Sequence, residues 1–409
     1  MKAAGIICEF DPFHNGHKYL IDSVHREISP DAVVCVMSGA FTQRGEPASW
    51  DKFARAKAAV KGGADLVLEL PALYAVNSAE YFARGGVRIL KGLGCVEYLA
   101  FGSESGDSDG LMKAAALTVS ESPQFSDAVK EAVNEGLSYP AAYQKAVSRV
   151  YPEIDAQLFE DPNDILGISY IRQIIKQDAG MGIYVLKRAG AFHDSDDDSS
   201  EFVSASFVRK VLDTGFSNFE DALVHAMMPE STSMELNSGG VLSHPSKDRL
   251  FAMTVSCILG ASGEKLSSLP EVSEGLENRI RESVYKAKDM ESLAECIATK
   301  RYTQARVSRI LMQLLLGIDK EVLAAAESSG AAYAKVLAFN GQGAKVLRYA
   351  QEHGNIPVLS NINKNIMIDD ATNRMLAIDI LSNDIYSILC GKAPEEHSDK
   401  VRVPVIMNN

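Results

Sequence analysis

Short apolar runs alternating with amphipathic helical stretches fill the first half of the chain, and this alternation constrains the fold more than any other feature. Strand-like runs occupy 3–10, 31–37, 66–70, 96–101 and 183–186. Helical periods lie between them, over 17–29, 50–62, 78–93 and 164–178. Strands that are apolar on both faces and separated by helices predict an α/β fold, a Rossmann-like parallel sheet covered on both sides. Open sheets of this kind bind ligands at the carboxyl ends of their strands. Small or polar residues follow several of those ends, at Ser38-Gly39, Gly102-Ser103 and Arg188-Ala189-Gly190.

The first strand leads into Phe13-His14-Asn15-Gly16-His17. Asp11-Pro12 breaks the strand, and the spacing of Tyr19, Leu20 and Val24 predicts a helix beginning near His17. Two histidines therefore stand at a helix N-terminus, where unpaired N–H groups and the helix dipole attract phosphate. An imidazole there can donate a hydrogen bond, or a proton, to a phosphoryl oxygen whose charge grows during transfer. The alternative is that His14 and His17 only cap backbone groups. A second site-like element is Val203-Ser204-Ala205-Ser206-Phe207-Val208-Arg209. Ser204 or Ser206 can cap the helix that follows. Alternatively the two hydroxyls and the Arg209 guanidinium face the phosphates of a nucleotide.

With 409 residues the chain exceeds one compact core, so more than one domain is expected. Residues 229–247, with Asn237-Ser238-Gly239-Gly240, read as a linker between a first domain over 1–228 and a second over 248–409. Helical periods dominate the second, at 246–260, 274–287, 290–299, 303–317, 319–328, 342–353 and 368–391, with one short strand at 333–339. A net charge of −13 argues against non-specific coating of nucleic acid, while leaving room for a local basic patch. One candidate patch is Lys300, Arg301, Arg306 and Arg309 around Tyr302, joined by Lys335, Lys345 and Arg348. The competing reading is a solvated helix face. No apolar run reaches the length of a membrane span and no signal-peptide pattern opens the chain. The six cysteines show no C-x-x-C pair, so reduced thiols and a cytoplasmic location are expected. No metal-ligand spacing appears. The acidic run 194–201 reads as a solvated loop, with a cation site as its alternative.

Longer strings then carry a family resemblance. They are Cys8-Glu9-Phe10-Asp11-Pro12-Phe13-His14-Asn15-Gly16-His17, Met37-Ser38-Gly39-Ala40-Phe41-Thr42-Gln43-Arg44-Gly45-Glu46-Pro47-Ala48, Asp65-Leu66-Val67-Leu68-Glu69-Leu70-Pro71 and Pro162-Asn163-Asp164-Ile165-Leu166-Gly167. Glu274-Gly275-Leu276-Glu277-Asn278-Arg279 and Thr299-Lys300-Arg301-Tyr302-Thr303 extend it into the second domain. With its H-x-G-H and late Ser-x-x-Arg elements, the chain resembles the nucleotidyltransferase superfamily and, within it, the bacterial tRNA(Met) cytidine acetate ligase family. Ala40 and Thr42 depart from the bulkier or more polar residues expected beside Ser38-Gly39.

The resemblance implies an ATP-dependent ligase that makes acetyl-adenylate from acetate and ATP. It then passes the acetyl group to the wobble cytidine of elongator tRNA(Met), giving N4-acetylcytidine. His14, His17 and Arg209 would be the catalytic residues. ATP would be lined by Ile7, Cys8, Glu9, Phe10, Asp11, Pro12, Phe13, His14, Asn15, Gly16, His17, Lys18, Tyr19 and Leu20. Gly102, Asn163, Arg188, Ser204 and Ser206 would complete that pocket, with Mg2+ arriving on the triphosphate. The resemblance also directs the basic patch of Lys300, Arg301, Arg306 and Arg309 to tRNA. Gln43–Pro47 and Trp50-Asp51-Lys52, which follow the second strand, read as a lid or a tRNA-facing loop, with a core or helix-start role as the alternative for Trp50. Two other functions fit the same residues. One is an adenylyltransferase acting on a small metabolite; the other is a non-catalytic RNA-binding protein with a vestigial nucleotide site.

Overall fold

The computed structural model describes residues 1–137, 139–188, 209, 228–229, 232, 244–273, 275–362 and 368–407. Its strands are β1 (Ala3–Cys8), β2 (Ala32–Ser38), β3 (Leu66–Leu70), β4 (Val96–Ser103), β5 (Gly182–Lys187), β6 (Ala334–Phe339), β7 (Val358–Leu359) and β8 (Val405–Ile406). They form one sheet in the order β5-β4-β1-β2-β3-β6-β7, with β8 also paired to β6. β1 to β5 are mutually parallel, as the alternation predicts. The expected helices are also present, among them Asn15–Glu27, Lys52–Lys61, Ala79–Gly92 and Pro162–Lys176. Helices Ser108–Val119, Pro123–Asn134 and Tyr139–Val150, in a stretch given no element from sequence, fill the gap before Pro162.

β2 explains the continuous apolar pattern. Val33, Cys35 and Met37 point into one core, with Phe13, Ile21 and Phe53, and Ala32, Val34 and Val36 into the other, with Phe82, Val87 and Leu90. Alternate side chains of one strand are thus buried on opposite faces, each beneath helices. A fully buried Val or Leu contributes roughly 1.5–3 kcal/mol, so the central strands anchor the fold.

The C-terminal region is mainly helical, as expected, yet its strands complete the N-terminal sheet. β6 runs antiparallel to β3, with Glu69 opposite Lys335, and β7 and β8 share its other edge. The linker expected at 229–247 therefore does not divide the sheet. β3 has an apolar edge that needs a backbone partner, and nothing in its own sequence names that partner.

Lys335 is the sharpest correction. Expected on a phosphate-facing surface, it is buried, 2.7 Å from Glu69 and ion-paired to Asp399. Lys52, equally buried, binds the same two carboxylates at 2.9 and 2.7 Å. Burial alone would raise the Asp399 carboxyl, but Lys335 and Lys52 outweigh it and hold it below its ordinary value. Arg402 adds a second tie, bonding both oxygens of Asp51. The tail carrying Asp399 and Arg402 is thereby locked to the start of helix Lys52–Lys61.

Candidate active site

In sequence order the first five strands lie 3-2-1-4-5, so the order reverses between β1 and β4. That reversal opens a crevice at the carboxyl ends of the two strands. A cleft of about 1190 Å³ occupies it.

The H-x-G-H segment enters the cleft as the start of helix Asn15–Glu27. His14 is the N-cap, in extended geometry (φ −127°, ψ 175°). Its Nδ1 accepts the Gly16 N–H at 3.1 Å, and the His17 Nδ1 accepts the His14 N–H at 3.2 Å. The rings stack with centroids 3.6 Å apart, and Phe10 packs on His17 at 4.8 Å. Capping and phosphate chemistry, set against each other by the sequence, are here compatible. An imidazole that accepts at Nδ1 carries its proton at Nε2 when neutral. Burial lowers the His14 pKa to about 3, helped by the charges of Arg188 and Arg209. Burial also pushes His17 well below its ordinary value, with His14 and Arg188 adding to the shift. Both rings are therefore neutral Nε2–H donors in the ligand-free protein, held by their own backbone.

The turn before the helix is rigid. Phe10 is buried with φ +46°, a conformation costly for an aromatic residue and kept only where the surroundings impose it. Arg55, fully buried, supplies much of that constraint: its guanidinium donates to the carbonyls of Glu9 (2.6 Å), Ser38 (3.1 Å), Trp50 (2.9 Å) and Gly39. It ties the ends of β1 and β2 together. Asp11 accepts the Ser49 N–H at 2.8 Å, and Arg209 donates to the Asp11 carbonyl at 2.6 Å. Burial raises the Glu9 carboxyl, although the Gln43 N–H, 2.6 Å from Oε1, partly offsets it.

Most of the expected nucleotide residues converge. Ile7, Cys8, Glu9, Phe10, Asp11, His14, Gly16, His17, Tyr19, Leu20, Gly102, Asn163, Arg188 and Arg209 all line the cleft. Pro12, Phe13, Asn15 and Lys18 do not. Phe13 lies in the core under the helix, and Lys18 pairs with Asp22 at 2.8 Å. The Asn163 side-chain amide donates to Glu104, whose other oxygen accepts the N–H groups of Asn163 and Asp164 at 3.1 Å, so Glu104 and not Asn163 satisfies the start of helix Pro162–Lys176. Ser204, Ser206 and the acidic run lie outside the described residues.

The expected RNA patch is spent differently. Arg306 lies 2.7 Å and Arg309 3.5 Å from the Glu271 carboxylate, and Arg306 also stacks on Tyr302. Lys300 and Arg301 are exposed, and neither lines the cleft. Sequence reasoning missed Arg55, whose only signal is a charge inside an alanine-rich helix. It also missed the wall formed by Lys247, Glu291, Gln304 and Ser308, which carries no local motif. Among the described residues no group of His, Cys, Asp and Glu has the arrangement of a metal site, and no helix is long and apolar enough to cross a membrane.

Comparison with known proteins agrees with this geometry. Residues 1–401 match the HIGH Nucleotidyl Transferase family. The tRNA(Met) cytidine acetate ligase of Acetivibrio thermocellus is 37% identical over 402 residues, spanning 96% of each chain. That of Clostridium perfringens is 34% identical over 415 residues, 99% of this chain and 100% of the relative. Thermotoga maritima TmcAL bound with alpha-thio ATP superposes with a TM-score of 0.88 at 27% identity, covering all of both chains. The apo form of that protein gives a TM-score of 0.90. The chain therefore belongs to the HIGH nucleotidyl transferase family and, within it, to the tRNA(Met) cytidine acetate ligases.

Proposed function

We propose that this protein is an ATP-dependent acetate ligase acting on tRNA. Acetate attacks the α-phosphate of ATP, forming acetyl-adenylate and releasing pyrophosphate. The exocyclic amine of the wobble cytidine of elongator tRNA(Met) then attacks the acyl carbon, leaving N4-acetylcytidine and AMP. The observation that carries the reading is the stacked pair of neutral histidines at the β1–β4 reversal, flanked by Arg188 and Arg209. In-line transfer at phosphorus asks the protein for position and charge stabilisation. Two fixed Nε2–H groups and two guanidiniums supply both, without placing a protein nucleophile at the phosphate.

In this reading His14, His17 and Arg209 act on the phosphoryl oxygens, while Gly102, Asn163 and Arg188 border the rest of ATP. Ser204 and Ser206 are proposed at the triphosphate on the family pattern alone. Mg2+ would come bound to the phosphates. Residues 1–228 would hold ATP, 229–247 would link, and 248–409 would face tRNA, in the cytoplasm where both substrates are found.

The deciding experiment incubates the protein with ATP, labelled acetate and tRNA, and follows label into nucleosides. Label in N4-acetylcytidine, with AMP formed only when acetate is present, supports the proposal. Absence of both defeats it. His17→Ala should lower acetate-dependent AMP formation roughly 10²–10³-fold, the usual cost of one preorganised donor. Full activity in that variant would remove the histidine pair from the mechanism.

A further inference from the structure

One nucleotide does not fill the cleft. Its volume of about 1190 Å³ exceeds the roughly 300–1,000 Å³ of ordinary small-molecule pockets, and its lining extends well beyond His14 and His17. A further part of the lining comes from the helical region. Lys247 opens helix Lys247–Gly260, Glu291 lies in the first turn of Met290–Ile297, and Gln304 and Ser308 lie in the first turns of Gln304–Leu315. Three polar side-chain types, a cation, a carboxylate and a primary amide, thus border one space.

The corner Gln43–Arg44 also lines the cleft and is held from both regions. Gln43 donates its N–H to Glu9, and the Thr42 N–H bonds to the Glu46 carbonyl at 2.9 Å. Gly45, with φ +78°, presses so closely on helix Gln304–Leu315 that a Cβ would lie 2.4 Å from the Arg309 nitrogen. Only glycine allows that approach, and it sets the corner beside Ser308. Meanwhile Arg306 and Arg309, on the same helix, are engaged by Glu271.

Resting on the ligase reading above, we infer that the space between this corner and the helical wall is the acceptor-nucleotide subsite. It takes one cytidine of an RNA loop, swung out of its stack. Arg44 and Lys247 meet its flanking phosphates, and Glu291 and Gln304 meet the edge of the base. Cytosine presents an amine donor beside two acceptors, N3 and O2. A carboxylate accepts from that amine, and a primary amide donates to the acceptors. Uracil would set a carbonyl oxygen against the Glu291 carboxylate, so the same contact that welcomes cytosine rejects uracil. Loop bases are unpaired, so extruding one costs less than opening a duplex.

The test separates the two half-reactions in the full-length protein. Acetate-dependent exchange of labelled pyrophosphate into ATP reads adenylation, and acetyl transfer to an unmodified tRNA(Met) transcript reads both steps. In Gln304→Ala and Glu291→Gln the ratio of transfer to exchange should fall roughly tenfold to a hundredfold, chiefly as a raised KM for tRNA. Arg44→Ala should lower it in the same way and make transfer less sensitive to salt, because one fewer phosphate contact releases fewer counterions. An unchanged ratio in all three variants overturns the subsite. So does an equal loss of exchange and transfer, which would make these residues props of the fold. A larger loss from Lys300→Glu than from Gln304→Ala would move RNA to the outer face and overturn it too. Wild-type protein that shows no exchange removes the ligase reading and the subsite with it.

Discussion

The cations around the histidine pair and those of the helical region look alike in sequence, yet the fold uses them for different ends. Arg188 and Arg209 border a cleft, and their charges help keep His14 neutral. Lys335 is buried between two carboxylates, and Arg306 and Arg309 converge on a third. A cation buried against carboxylates is spent on the fold, whereas one that borders the cleft still faces a substrate, even where, like Arg209, it also holds a backbone carbonyl. The distinction predicts which substitutions damage stability and which damage chemistry.

Lys335→Met should cost the most stability. It leaves Glu69 and Asp399 in a dry interior with only Lys52, and removing one member of a buried pair typically costs roughly 3–5 kcal/mol. Denaturant melting should show that loss. A variant with wild-type stability and weakened tRNA binding would instead return Lys335 to a surface role.

Arg306→Ala comes next, at about 1 kcal/mol. The pair with Glu271 is partly exposed, and its worth adds to the stacking on Tyr302. Glu271→Gln should lose a similar amount, and the double variant less than the sum of the two, because the singles remove one shared interaction. Strict additivity in that cycle would show that the two residues do not couple.

The same contrast explains how far the sequence could be read. The parallel strands were legible because each is apolar on both faces, a pattern few other structures tolerate. The histidine pair was legible because it is local: strand, break and helix start fall within a few residues. Lys335 was misjudged because its partners, Glu69 and Asp399, lie far away in the chain, and only the β3–β6 register brings them together. Arg55 escaped notice for a related reason. Its partners are backbone carbonyls, which leave no mark on residue identity. The helical wall of the cleft has no motif either, since Lys247, Glu291 and Gln304 come from three separate helix starts.

The smallest expected effect is an absence of change, and it distinguishes the two regions by pH. In ligand-free protein the ring resonances of His14 should not titrate between pH 8 and pH 5, because burial holds its pKa at about 3 against an ordinary 6.5, and those of His17 should titrate well below the ordinary range. Below 6.5 the unfolded chain takes up the protons first, so stability associated with the pair is present above that pH and falls as pH drops towards 3. Asp379, buried in helix Asp370–Leu389 where it accepts the Ala72 N–H at 2.7 Å and the Tyr333 hydroxyl at 2.5 Å, has the opposite sign. Burial, opposed by Lys335, raises its carboxyl from 3.8 to about 7, so the stability it contributes is present at acid pH and is lost as pH rises through 7. Nuclear magnetic resonance titration checks both groups in one experiment. A His14 midpoint near 6.5 would mean that its Nδ1 is not committed to the Gly16 N–H, and the neutral-donor account of the site would fail with it.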